Sequence, residues 1–207
     1  MRKFDGCCPL ARRRYDRRHS VLDAAEQLFL EQGFDRVSLG EIVRRSGGSL
    51  ATVYEMFGNK QGLLRAVVER GREEGLQGIE EIGRDHEPPS EILRQLALRY
   101  HAFATSSRTV SLMRLVIAES LNDPEFGRAF DSDMKAKFVE PLAESLRIWT
   151  AEGKARVDDP EAAAELYFST ILCDAPLKAL LGTSCPGPDP KILTWRLAPF
   201  LSHFGMI

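Results

Sequence analysis

The side chains best placed to do chemistry lie between Ser38 and Lys60, and they suit hydrogen bonding to a polyanion better than bond making. Ser49, Leu50, Ala51 and Thr52 open one short helical stretch. They are small or polar, so a surface can approach closely, and Thr52 offers a hydroxyl to a base edge or a phosphate while Ala51 suits a thymine methyl. Tyr54 carries a hydroxyl at the end of a rigid ring, and Lys60 supplies a point charge beside the amides of a following helix. Both favour a phosphate oxygen. Arg13, Arg14, Arg17 and Arg18 precede this region, and Arg45 lies within it.

These residues need helices to hold them. Ser38 and Glu41 form the capping box SLGE, in which Ser38 accepts from the Glu41 amide and Glu41 reaches back to the amide of Ser38. A helix from Ser38 to about Arg45 follows, Gly47 and Gly48 make a turn at positive φ, and Ser49 caps a second helix from Leu50 to about Phe57. Two short helices joined by a glycine turn are a helix-turn-helix unit, whose second helix reads base edges. Before them, Val21, Leu22, Ala25, Leu28 and Phe29 mark one face of a helix from about His19 to Gln32, with Gly33 as its C-cap. After them, Asn59 caps a helix that carries Leu63, Leu64, Val67 and Val68 towards Glu80.

Charge follows the same division. The chain of 207 residues has a net charge of −2, yet residues 1–65 hold twelve bases against eight acids, which leaves −6 for the remainder. A basic front and an acidic body fit a protein that meets phosphates with its first part alone. We therefore divide the chain into a flexible basic arm (1–18), a helix-turn-helix domain (19–65, with its exit helix to about 82) and a larger body (83–207). The polar stretch Gly83–Pro89 serves as linker. The body shows helical periodicity at about Ser90–Ala104, Thr109–Leu121, Pro124–Ala151, Pro160–Leu181 and Pro190–Phe204, and no run alternates like a strand, so the fold class is all-α.

The string HSVLDAAEQLFLEQGFDRVSLGEIVRRSGGSLATVYEMFGNKQGLLRAVV resembles the DNA-binding domain of TetR-type bacterial regulators. It shares Gly33-Phe34, Ser38, Ile42, Gly47, Ser49, Thr52-Val53-Tyr54, Phe57, Asn59-Lys60 and Leu63-Leu64 with that family. It departs at Gly48, where relatives commonly have an apolar residue, at Met56, where a His or Tyr would reach a phosphate, and at Gly40, which has no side chain to offer the bases. The segments LMRLVIAESLNDPEFGRAF and EGKARVDDPEAAAELYFSTIL are similar to the body of the AefR-like branch.

The resemblance implies a homodimer on palindromic operator DNA, released by a small apolar or amphipathic effector, with no cofactor. DNA contacts would come from Arg13, Arg14, Arg17, Arg18, Ser38, Arg45, Ser49, Leu50, Ala51, Thr52, Tyr54 and Lys60. An effector pocket is sought among Phe103, Leu112, Leu115, Val116 and Glu119 on earlier helices. Phe138, Trp149, Tyr167, Phe168 and Cys173 would complete it, with His101 as a further polar contact. The dimer face is sought at Leu166, Ile171, Leu177, Leu180, Leu181, Trp195, Leu197 and Phe200.

No nucleophile, metal or phosphate-loop motif is present in the sequence, which disfavours an enzyme and a metal site. Cys7, Cys8, Cys173 and Cys185 follow no zinc or disulfide spacing. No apolar run is long enough to span a membrane, and the first residues lack the apolar stretch of a signal peptide, so a cytoplasmic location is expected. Two competing readings are a helical enzyme or carrier with an incidental helix-turn-helix, and an adaptor that uses the fold to bind protein.

Overall fold

The computed structural model describes residues 9–76, 87–183 and 187–206, with side chains from Tyr15 onward in the first of these segments. It is all-α, with no strand among the described residues. The chain divides into two compact units, residues 1–71 and 72–207.

In the first unit, α1 (Pro9–Gln32), α2 (Leu39–Ser46), α3 (Leu50–Phe57) and the first turns of α4 (Lys60–Gly75) surround one small core. Val21, Leu22, Ala25, Leu28 and Phe29 of α1 meet Ile42 of α2, Val53 of α3 and Leu63, Leu64 and Val67 of α4, each at most 2% exposed. Each short helix contributes a single fully buried side chain, so α2 and α3 owe their stability to packing and caps more than to length. Arg70, itself buried, binds Asp23 at 2.5 Å and Glu26 at 2.6 Å and thereby ties α4 to α1.

One expectation is corrected here. The segment before His19 is not a flexible arm throughout, because α1 already begins at Pro9. Residues 10–18 contain Leu, Ala and Arg with no Gly or internal Pro, and Pro9 suits the first helical position. The side chains of Arg13 and Arg14, together with Cys7, Cys8, Cys185, the path beyond Leu76 towards Glu80 and most of the Gly83–Pro89 linker, lie outside the described residues.

The second unit contains α5 (Pro89–Thr105), α6 (Ser107–Asn122), α7 (Pro124–Met134), a π-helical turn (Lys135–Val139), α8 (Glu140–Ala151), α9 (Pro160–Leu172), α10 (Ala175–Leu180) and α11 (Pro190–His203). Three of these helices start in the same way. Asp123, Asp159 and Asp189 each accept a hydrogen bond from an amide of the first turn, and each is followed by a proline whose missing N–H is needed by nothing. The core runs through α5, α8, α9 and α11, with Leu93, Leu146, Tyr167, Ile171 and Leu197 fully buried. Tyr167 donates to the Leu93 carbonyl at 2.7 Å, which satisfies a hydroxyl that would otherwise be costly to bury.

Two long helices expected from periodicity are interrupted. Pro141 cannot donate to the Lys137 carbonyl, and the chain widens into the π turn just before it. Helix α9 stops at Cys173, which adopts φ 48° and ψ −124°, because Pro176 forbids the continuing hydrogen bond to Leu172.

Candidate DNA-reading surface and ligand cavity

The first turn of α3 is built by Ser49. Its Oγ accepts from the Thr52 amide at 3.1 Å and lies 2.8 Å from the Thr52 Oγ1, so both hydroxyls organise the helix start. Val53 anchors the inner face at 2% exposure, which turns Leu50, Ala51 and Tyr54 outward. Tyr54 is 51% exposed. The outward surface is small, polar at one end and free of covering side chains at Ala51, as close approach to a groove requires.

The turn before α3 explains its two glycines. Gly47 and Gly48 have φ +76° and +100°, and a Cβ on Gly48 would lie 2.9 Å from the Arg17 Nη1. Arg17 thus lies across the turn where relatives were expected to carry an apolar side chain. Arg18 sits 5.1 Å from the centre of the Phe57 ring. Both guanidinium groups remain exposed beside the reading helix.

Several site residues have partners that sequence spacing does not reveal. Ser38 accepts from the Glu41 amide at 3.2 Å, but the Glu41 carboxylate accepts from Gln32 at 3.1 Å, so the reciprocal half of the capping box is replaced by a tie to α1. Arg45 pairs with Glu31 at 3.3 Å. Arg44, which sequence reasoning passed over, has an 82% exposed side chain, and its nearest carboxylate is 3.9 Å away. Lys60 differs most from expectation. Its ammonium donates to the carbonyls of Phe34 at 3.0 Å, Val37 at 3.2 Å and Asp35 at 3.4 Å, and lies 4.3 Å from the Phe34 ring centre. It clasps the α1–α2 loop to α4, so its charge is directed inward. Asn59 accepts from the Gly62 amide at 2.7 Å and caps α4.

The second unit holds a cavity of about 520 Å³ bounded by α5, α6, α7, the π turn, α9 and α10. Phe103, Phe138 and Phe168 line it, beside Tyr100, Met113 and Met134. Leu112, Val116, Glu119 and Tyr167 are instead buried in helix packing. Leu115 and Trp149 are half-buried and lie off the lining, and Cys173 is exposed in a groove shared with Trp195. The π turn places Lys135, Phe138 and Val139 together on the wall.

His101 is 5% exposed, and its Nδ1 has no hydrogen-bond partner among the described residues. Burial, reinforced by the positive charge of Arg196, pushes its pKa below the ordinary value for histidine. It is off the cavity lining.

The end of α4 meets the cavity wall. A Cβ on Gly75 would lie 2.4 Å from Cδ2 of Phe103, so the helix and the ring touch where no side chain fits. Arg72, one turn earlier, stands 6.0 Å from the Phe138 ring centre, and Glu74 pairs with Arg108.

Of the residues proposed for a dimer face, Ile171, Leu197 and Phe200 are core, and Leu180 lines the cavity. Leu166, Leu177, Leu181 and Trp195 are at least half exposed, with Trp195 at 76%.

A sequence profile described as "Bacterial regulatory proteins, tetR family" matches residues 21–67, and one described as "AefR-like transcriptional repressor, C-terminal domain" matches residues 91–193. The chain belongs to the TetR family. Among its relatives, the transcriptional repressor ComR of Escherichia coli is 42% identical over 53 residues, which are 26% of this chain and 25% of ComR. The repressor Rv1474c of Mycobacterium tuberculosis is 25% identical over 186 residues, covering 86% of this chain and 87% of that protein. Among solved structures, the flavonoid-responsive regulator FrrA is 28% identical, with a TM-score of 0.70, and the match covers 91% of this chain and 96% of FrrA. The ComR match is short, whereas the other two cover most of this TetR protein. No helix among the described residues is long and apolar enough to cross a membrane.

Proposed function

We propose that this TetR-family regulator is a cytoplasmic repressor that binds a palindromic operator as a homodimer and leaves it when a small molecule fills the cavity of the second unit. The outward first turn of α3, capped by Ser49 and anchored by Val53, carries this reading. One such helix makes too few base contacts for useful specificity, so two copies read two half-sites about 34–36 Å apart. The exposed Leu166, Leu177, Leu181 and Trp195 supply apolar surface that a second copy would cover. Phosphate contacts are assigned to Tyr54, Arg17, Arg18 and Arg44, and Lys60 is withdrawn from that set. The role requires no cofactor and no catalytic turnover.

The effector acts through α4. The helix starts at the Lys60 clasp and ends against Phe103, a cavity residue, so a ligand that displaces the ring bears on the last turn of a helix whose first turns belong to the DNA-reading unit. By linkage, the ligand weakens operator binding by its difference in affinity between the two forms, typically about 1–3 kcal/mol.

Selection of bound sequences from a random DNA pool tests the reading. A recovered inverted repeat is the expected result. A motif without two-fold symmetry removes the dimer, and the recovery of no motif at moderate salt removes sequence-specific DNA binding.

A further inference from the structure

The lining of the cavity is specific enough to indicate what it takes. Tyr100 and Phe168 meet edge to face with centroids 5.1 Å apart and planes at 87°, and Phe138 meets Phe168 at 85°. Phe103 and Phe138 instead lie within 27° of parallel. Phe168 stands nearly perpendicular to both Tyr100 and Phe138, which are themselves inclined at 62°, so the rings present both faces and edges to one space. A flat π-system stacks on one ring while its rim meets another, an orientation that an aliphatic chain of equal area does not gain from.

Charge narrows the class. Lys135 lines the cavity, but Glu165, also on the lining, pairs with it at 3.4 Å. Asp131 adds a further negative charge. An anion therefore meets an acidic lining. A cation stacked on Phe138 would be opposed by Arg72, whose guanidinium stands 6.0 Å from the centre of that ring. A neutral molecule avoids both costs.

A polar group on the lining can orient it. Tyr100 lines the cavity, and its hydroxyl makes no hydrogen bond among the described residues. Burial pushes its pKa up, with Arg72 partly offsetting the effect, so the hydroxyl stays a donor at neutral pH. The volume, about 520 Å³, falls within the roughly 300–1,000 Å³ of small-molecule sites.

We infer that the cavity binds a neutral, planar aromatic molecule with linked or fused rings, which carries a hydrogen-bond acceptor directed at the Tyr100 hydroxyl. The inference rests on the cavity being the effector site of the regulator proposed above, and its test separates the two.

Titration calorimetry on the full chain would use four probes of one size: acetylnaphthalene, ethylnaphthalene, naphthoate and naphthyl trimethylammonium. The ketone should bind best. Tyr100→Phe removes one oxygen that makes no hydrogen bond among the described residues, so the variant should keep its melting temperature. It should weaken the ketone by about three- to tenfold, as the loss of one neutral hydrogen bond does, and leave ethylnaphthalene unchanged. An equal loss for both probes would show that Tyr100 acts by packing alone and would overturn the inference. So would tighter binding of naphthoate or of the ammonium, or binding of none of the four. If Tyr100→Phe fails to fold, the ranking of the four probes on the wild-type chain decides the matter.

The selected DNA, tested in parallel, reports on the other reading. Ketone binding without release of DNA leaves the ligand chemistry standing and removes the effector role. DNA binding with no probe bound does the reverse.

Discussion

Replacing Lys60 by methionine keeps the stem of the side chain and deletes the ammonium, so it isolates the bonds to the Phe34, Val37 and Asp35 carbonyls. A hydrogen bond from a charged donor contributes about 1.5–3 kcal/mol net. The bond at 3.4 Å adds little, and because Lys60 is only half-buried the other two belong at or below the lower end of that range. The ammonium over the Phe34 ring adds about 0.5 kcal/mol. The total comes to about 2–3 kcal/mol. For a chain of this size each kcal/mol moves the melting temperature by about 2–4 °C, so calorimetry should record a fall of about 5–10 °C in the melting transition of the chain. Operator affinity, measured against salt well below that transition, should keep its wild-type slope, since an inward ammonium releases no counterion. A lysine seated on a phosphate would give the opposite pair of results: an almost unchanged melting temperature, and a slope smaller by about 0.9 for the one phosphate lost. That pair would refute the internal clasp.

Tyr54→Phe should leave the melting temperature unchanged and weaken operator binding about three- to tenfold in a titration at fixed salt, because its hydroxyl is on the outer surface of α3. Gly48→Ala should destabilise the first unit by about 1–2 kcal/mol in denaturant melts, since φ +100° and the Arg17 guanidinium both oppose a Cβ. Adding Arg17→Ala should restore part of that loss, the backbone part remaining. His101 sets a pH dependence. Its folded pKa lies below the unfolded value near 6.5, so the unfolded state binds more protons as the pH drops below that value. Stability is retained above pH 6.5 and is lost as the pH falls through the folded pKa, and His101→Leu should flatten the melting temperature across that window.

The DNA-reading unit was largely legible in the sequence because local rules specify it. Ser38, Ser49 and Asn59 are capping residues that act within three positions of themselves, and Gly47 and Gly48 are required by backbone angles. The start of α1 was misplaced because a run of arginines looks like a charged arm, although its helix propensity is high. Lys60 and Arg45 hide their partners for another reason. Their partners, Phe34 and Glu31, are 26 and 14 residues away, and local spacing does not reach that far.

In the body the sequence showed where helices lie, but not which apolar stripe faces the core and which faces the cavity. Leu112, Val116 and Phe103 look alike in a pattern of hydrophobic residues, and packing separates them. The break at Cys173 carried a usable signal in Pro176. The π turn carried one in Pro141, which weakens the helix just where the wall of the cavity is formed.

The meeting of Gly75 with Phe103 sets how finely an effector can be graded. A contact between two flexible side chains would absorb a small intruder by rotamer changes, and the response would rise gradually with ligand size. Bare backbone has no rotamers. At this point the ring has no slack towards α4, so a ligand that leaves Phe103 in place goes unfelt, and one that crowds it acts on the helix directly. The cavity should therefore discriminate among its occupants by a threshold in shape, and molecules of nearly equal affinity should divide sharply into those that release DNA and those that only bind.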